Sequence, residues 1–355
     1  MRRSLVLVLI LALVTVLLAG CAGTTVVIGN CTCPTDSHAQ LPNVPAEGAL
    51  KTGLSVSTSF KDSLSATADK AGAVKYDVIM TAVTVDDKGV IVSCVIDSIP
   101  ATVNFDAKGA ITSDLTAAIQ TKNELGDNYG MVAWGGAKAE WDEQIAAVSQ
   151  YAVGKTVEQL KNGDIDMTTG MAKDGTDLKS SATIYLAGYV YAIEAAVNNA
   201  KHLGAQVGDT LVLSTIPSVG NSIAATAEKV GVAQLDADIV ALTQKDDKIT
   251  SCYIDALQAK VEFDANGVIT TDLNAAVKTK NELGSDYGMV AWGGAKAEWN
   301  EQAAAFAQYV TGKTAAEVEG IAVNETTNPA DGTDLASSVT IKVGGFKLLI
   351  SKAMK

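Results

Sequence analysis

The strongest constraint on this chain is that it is written twice. Residues Thr121 to Trp141 return as Thr279 to Trp299, and only positions 127 and 128 differ from their counterparts 285 and 286. A looser match links Ala66-Thr-Ala-Asp-Lys70 to Ala225-Thr-Ala-Glu-Lys229. The spacing between copies is far longer than the roughly 20–50 residues of solenoid repeats. It marks a domain duplication, with one copy at about 49–202 and the other at about 203–355. Two compact domains also suit the length of 355 residues.

Within one copy the hydrophobic period changes along the chain. Tyr76–Val85 and Val90–Ser98 alternate apolar and polar residues around Asp86-Asp-Lys-Gly89, the pattern of a β-hairpin. Ala101–Phe105 and Ala110–Thr112, around Asp106-Ala-Lys-Gly109, read as a second one. Ala137–Tyr151 and Thr156–Lys161 then take the helical period, with Gly154 as a stop between them. Ile184–Ala200 reads as a closing apolar helix, matched by Ile341–Met354 in the second copy. Hairpins followed by helices, without βαβ alternation, predict an α+β fold: two tandem homologous domains, each an antiparallel sheet packed with helices. Aromatic residues make up only 5% of the chain, so the cores must be filled by small side chains.

The N-terminus predicts export. Arg2 and Arg3 precede an apolar run, Leu5–Leu18, which is too short to span a bilayer comfortably, and Leu18-Ala-Gly-Cys21 follows. This resembles a bacterial lipoprotein signal, which implies removal of residues 1–20 and a lipid thioether on Cys21. Residues 22–48 hold three of the six prolines among Thr, Ser, Asn and Gly, the composition of a flexible spacer. The net charge of −13 repels nucleic acid and anionic headgroups, so membrane attachment must rest on the covalent anchor.

Each copy closes on one motif. Asp174-Gly-Thr-Asp-Leu-Lys-Ser-Ser-Ala-Thr183-Ile returns as Asp331-Gly-Thr-Asp-Leu-Ala-Ser-Ser-Val-Thr340-Ile. Placed before a helix, Ser180, Ser181 and Thr183, with Ser337, Ser338 and Thr340, are expected to meet free N–H groups that favour an anion. Asp177-Leu-Lys-Ser-Ser-Ala-Thr183 resembles the flavinylation motif: an Asp, two variable residues, Ser/Thr, Gly/Ser, then Ala-Thr. The resemblance is to the flavinylated extracellular electron-transfer lipoproteins of Gram-positive bacteria, which are also α+β. It implies FMN held by a phosphoester on Thr183 and Thr340, with Asp177, Ser180 and Ser181, and Asp334, Ser337 and Ser338, completing the motifs. It also implies a flavin transferase that uses FAD and a divalent metal and releases AMP. A quinol-linked donor in the membrane, and outside acceptors such as ferric iron or soluble flavin, would complete the chain. The second motif has Val339 where the family has Ala, and its extra methyls are expected to crowd Thr340.

Tyr129-Gly-Met-Val-Ala-Trp134-Gly-Gly-Ala137 is repeated unchanged as Tyr287 to Ala295. Its glycines allow close approach, so Trp134 and Trp292 could wall an isoalloxazine ring or fill a core. Trp141 and Trp299, at helical positions, read as core anchors. Cys94 and Cys252 fall at matching strand positions and read as small buried residues, and Cys31-Thr-Cys33 lies in the spacer. His38 and His202 are the only histidines and lack partners at metal-ligand spacing. No Gly-x-Gly-x-x-Gly run is present, Gly154-Lys-Thr156 and Gly312-Lys-Thr314 lack the glycine five residues upstream that a P-loop needs, and no Ser/His/Asp set can be assembled. Pairs such as Asp86-Asp87 and Asp246-Asp247 read as turns. The competing reading is a cofactor-free surface binding or adhesion lipoprotein, in which the Ser-Ser-x-Thr runs are helix caps. A solute-binding transporter component is a weaker third.

Overall fold

Asp86 makes the first turn as its chemistry dictates. Its Oδ1 accepts from the backbone N–H of Lys88 and of Val90, at 2.9 and 2.8 Å, and Gly89 takes the left-handed conformation. The computed structural model describes residues 48–355. The predicted signal, Cys21, Cys31, Cys33 and all but the last residue of the predicted spacer lie outside them. The turn joins β2 (Gly72–Val85) to β3 (Ile91–Phe105), and β1 (Lys51–Ser59) pairs on the other side of β2. In the second copy β6 (Thr210–Ser218), β7 (Gly231–Lys245) and β8 (Lys248–Phe263) repeat this antiparallel order. Their hairpin turns on Asp246 and Asp247, both at positive φ, which matches the right-handed strand twist.

The helices follow the strands. The first copy has α1 (Lys122–Leu125), α2 (Trp141–Ala152), α3 (Val157–Asn162), a two-residue pair β4 (Ile165–Asp166) and β5 (Met171–Ala172), α4 (Asp177–Ser181) and α5 (Ala187–Asn198). The second has α6 (Lys280–Leu283), α7 (Trp299–Val310), α8 (Ala315–Glu319), α9 (Asp334–Ser338) and α10 (Gly344–Ala353). The fold is α+β, as the order of periods predicts. Several boundaries differ from expectation, and β2 begins at Gly72 rather than Tyr76. Ala101–Phe105 is the far end of β3 rather than a separate hairpin arm, and only a single bridge from Phe105 to Ile111 follows its turn. Helix α2 starts at Trp141 rather than Ala137, because Glu140 caps it in a reciprocal box with Glu143. The closing helices are shorter than predicted at both ends.

The alternating strands bury both faces. Residues Val74, Tyr76, Val78, Met80 and Ala82 of β2 face a core shared with the second copy, where Ala233, Leu235, Ala237, Ile239 and Ala241 of β7 do the same. The opposite faces carry Val83 and Val85, or Val240 and Leu242, against each copy's own helices. The order of layers is therefore helices, sheet, sheet, helices. Both copies belong to one compact unit.

The copies meet through the same surface. Phe105 stacks on Phe263, its own counterpart, with ring centroids 4.1 Å apart and planes 8° from parallel. Ala66 N donates to Gly267 O at 2.8 Å, and Ala225 N donates to Gly109 O at 2.9 Å. These are one contact seen twice, the signature of a two-fold interface. Gly109 and Gly267 sit at positive φ, and a Cβ on either would lie 2.6 Å from the facing alanine methyl. Only glycine fits there.

Candidate functional site

Four features converge at the start of α2, and the same four at the start of α7. The first is a loop. From Gly130 the chain makes a tight turn in which Trp134 N donates to Gly130 O and Gly135 N to Met131 O. The buried carboxylate of Glu140 fixes this loop, accepting from Met131 N at 2.8 Å and Val132 N at 2.9 Å. Glu298 holds Met289 N and Val290 N in the same way. Trp134 and Trp292 stand at the tips, each 90% exposed, with Val132 and Val290 exposed beside them. A Cβ on Gly130 would come within 2.3 Å of the Trp134 ring, so glycine lets the indole cross the backbone. Exposure removes the core alternative for these two tryptophans. Trp141 and Trp299, by contrast, are buried core anchors.

The second feature is the motif threonine. Thr183 and Thr340 are exposed, each in the non-helical stretch between a one-turn helix and the closing helix. The predicted geometry needs correcting here. Thr176, not a serine of the motif, caps α4 by accepting from Lys179 N. Ser180 and Ser181 therefore end that turn, and Ser181 Oγ donates to Asp177 O at 3.2 Å. Ser337 Oγ donates to Asp334 O at 2.6 Å and Ser338 Oγ to Leu335 O at 3.4 Å. The carbonyl end of a helix is the wrong end for an anion, so the serines form no phosphate cradle. Asp177 and Asp334 open α4 and α9 and are exposed.

The third feature joins the first two. Gln144, in the first turn of α2 and 1% exposed, accepts through Oε1 from Thr183 N at 2.8 Å and from the Thr183 hydroxyl at 3.2 Å. Its Nε2 donates to Ala139 O, in the Trp134 loop, at 2.9 Å. Gln302 repeats the set with Thr340 N at 2.7 Å, the Thr340 hydroxyl at 3.1 Å and Ala297 O at 2.8 Å. One buried amide thus ties each threonine to each tryptophan loop.

The fourth feature lies underneath. The Lys122 ammonium stands 5.1 Å from the ring centres of both Tyr129 and Trp141, and Lys280 stands 5.0 Å from those of Tyr287 and Trp299. Lys122 is also 3.6 Å from Asp77. Trp141 Nε1 donates to the Tyr189 hydroxyl at 3.0 Å, and burial pushes that phenol up to about 12. Asp97 and Asp255 support α1 and α6 by accepting from Asn123 N and Asn281 N. Burial raises both carboxyls, that of Asp255 to about 6.

Val339 does not crowd Thr340. Its side chain is fully buried in the second copy's core, as Ala182 is in the first, while the next residue faces solvent. Among the remaining candidates, Cys252 is buried and Cys94 half-buried, and both are free thiols pushed up to about 12 by burial. Among the described residues, no cluster of His, Cys, Asp and Glu could hold a metal ion. No helix there is long and apolar enough to cross a membrane.

Sequence reasoning missed Gln144, Gln302, Glu140, Glu298, Lys122 and Lys280 as site residues. The two glutamines read as polar surface positions of a helix, and the lysine and glutamate pairs fall inside the repeated stretch, where nearly every residue is identical and none stands out. No protein family, curated protein or solved structure matches this chain.

Proposed function

We propose that the chain is a membrane-anchored electron carrier outside the cytoplasm, with one FMN esterified to Thr183 and one to Thr340. The observation that carries this reading is the duplicated link between an exposed threonine hydroxyl and the loop that bears an exposed tryptophan, made by one buried glutamine through the Ala139 or Ala297 carbonyl. A threonine that accepts a bulky cofactor must face solvent, and both do. A planar ring attached there needs an apolar wall, which Trp134 and Trp292 offer. Once bound, the flavin would supply one- and two-electron chemistry, and the protein would hold it and tune its potential. A covalent link also suits an exported carrier, from which a dissociable cofactor would be lost.

The exposed threonines fit the attachment, the exposed tryptophans offer a ring an apolar surface, and the phosphate would face water, since Ser181, Ser337 and Ser338 donate to carbonyls. A flavin transferase would load the threonines, and Cys21 would carry the lipid anchor on the outer face of the cytoplasmic membrane. Electrons would come from a quinol-linked donor and pass to ferric iron, soluble flavin or another outside acceptor.

The exposed Trp134 and Trp292 also favour a second reading, a cofactor-free binding lipoprotein whose twin aromatic loops grip a partner. One experiment separates the two. Residues 22–355 are produced with and without a flavin transferase, denatured in detergent and run on a gel. Flavin fluorescence that stays with the denatured band supports the carrier. A colourless band under both conditions leaves the binding protein.

A further inference from the structure

We propose that Gln144 and Gln302 are the residues that position each threonine hydroxyl for loading. The proposal rests on the flavin-carrier reading above and names the groups that make its two sites reactive.

The orientation of the amide follows from its neighbours. The Thr183 N–H can only donate and the Ala139 carbonyl can only accept, so Oε1 must face the threonine and Nε2 the loop. The hydroxyl of Thr183 shares that same oxygen. Two bonds from one residue to one acceptor fix the side chain against its own backbone. They turn the O–H inward and leave the lone pairs of Oγ1 facing solvent, the side from which an electrophile arrives. Gln302 does the same for Thr340, with Ile341 N as a further donor at 3.2 Å. Five of the twelve positions of α2 differ in α7, among them the core pairs Ile145/Ala303 and Val148/Phe306, while Gln144 and Gln302 keep the same amide and the same partners.

The loading step is a phosphoryl transfer. A bond forms between Oγ1 and the phosphorus on the FMN side of FAD. The bond from that phosphorus to the bridging oxygen breaks, AMP leaves with that oxygen, and the hydroxyl proton ends on water. No electrons change hands. A glutamine oxygen is too weak a base to keep the proton, so its part is orientation, which can be worth orders of magnitude in rate. After loading, Oγ1 has no proton to donate, and only the Thr183 N–H bond to Gln144 remains.

The chain contains its own control, since each copy can be read while the other is altered. Residues 22–355 are incubated with transferase, FAD and its divalent metal, and loading of each threonine is followed by peptide mass. Gln144→Met removes the acceptor at similar length. It is expected to slow loading of Thr183 about tenfold at saturating protein, the factor of one modest hydrogen bond, with KM for the protein and the rate at Thr340 unchanged. Gln144→Glu keeps an acceptor and is expected to load Thr183 within about threefold of the parent. Gln302→Met should move the defect to Thr340. Unchanged loading of Thr183 in Gln144→Met overturns the proposal. So does a Gln144→Glu variant as slow as Gln144→Met, since holding Ala139 would then be the whole role. If neither threonine of the parent chain loads, the carrier reading itself fails, and that result is distinct from both.

Discussion

Phe105 and Phe263 occupy the same position in the two copies, and their rings stack on each other at the centre of the protein. Each sheet therefore completes its core with the other copy, and the copies should not unfold separately. Phe105→Ala is expected to cost about 3–5 kcal/mol. Denaturation followed by tryptophan emission and by far-UV circular dichroism should still give one coincident transition. Two separate transitions in the parent chain would show that the shared core does not couple the copies.

Of the four tryptophans, two are buried and two are 90% exposed. Emission should thus contain a water-exposed component that disappears in the Trp134→Phe, Trp292→Phe double variant. Because neither indole is buried, stability should move by less than about 0.5 kcal/mol. On loading with flavin, the exposed component should be quenched first. Quenching confined to Trp141 and Trp299 would place the ring elsewhere.

Val339 tests where the motif's variable position points. Its methyls lie in the core, so Val339→Ala should cost roughly 1–2 kcal/mol through the cavity it leaves. It should not raise loading of Thr340, which is already exposed. Faster loading without loss of stability would mean that the valine does crowd the hydroxyl.

How much of this was legible from residues alone depended on chain length and polarity. The β2–β3 hairpin was readable because Asp86 and Gly89 dictate a turn between alternating strands. Helices α2 and α7 were readable from their period, and the α+β class followed. Strand β1 was not. Its sequence, Lys-Thr-Gly-Leu-Ser-Val-Ser-Thr-Ser, buries Thr52 and Ser55, which bond to Ser251 Oγ and Ala192 O and so hide the apolar alternation. Helices of one turn, such as α4, are too short to show a period, which is why its serines were expected at the wrong end. The threonines and the tryptophans were legible as candidates. The glutamine that joins them was not, since it lies on a helix and reads as one more polar surface residue.

The buried carboxyl of Asp255 sets a pH dependence. Its folded value, about 6, lies above the ordinary carboxylate value of 3.8. The protonated form is therefore favoured by the fold, and its contribution is complete below about 4 and lost as pH rises through about 6. Asp255→Asn should flatten the stability profile between those values, measured by urea denaturation at several pH values. A parent chain that gains stability across that window through Asp255 would contradict the assignment.

Intact mass of residues 22–355 produced with a flavin transferase decides whether the two threonines carry flavin. The expected gain is two FMN units, falling to one in Thr183→Ala, to one in Thr340→Ala and to none in the double variant. A parent chain that gains no mass, or one whose gain survives loss of both threonines, would contradict it.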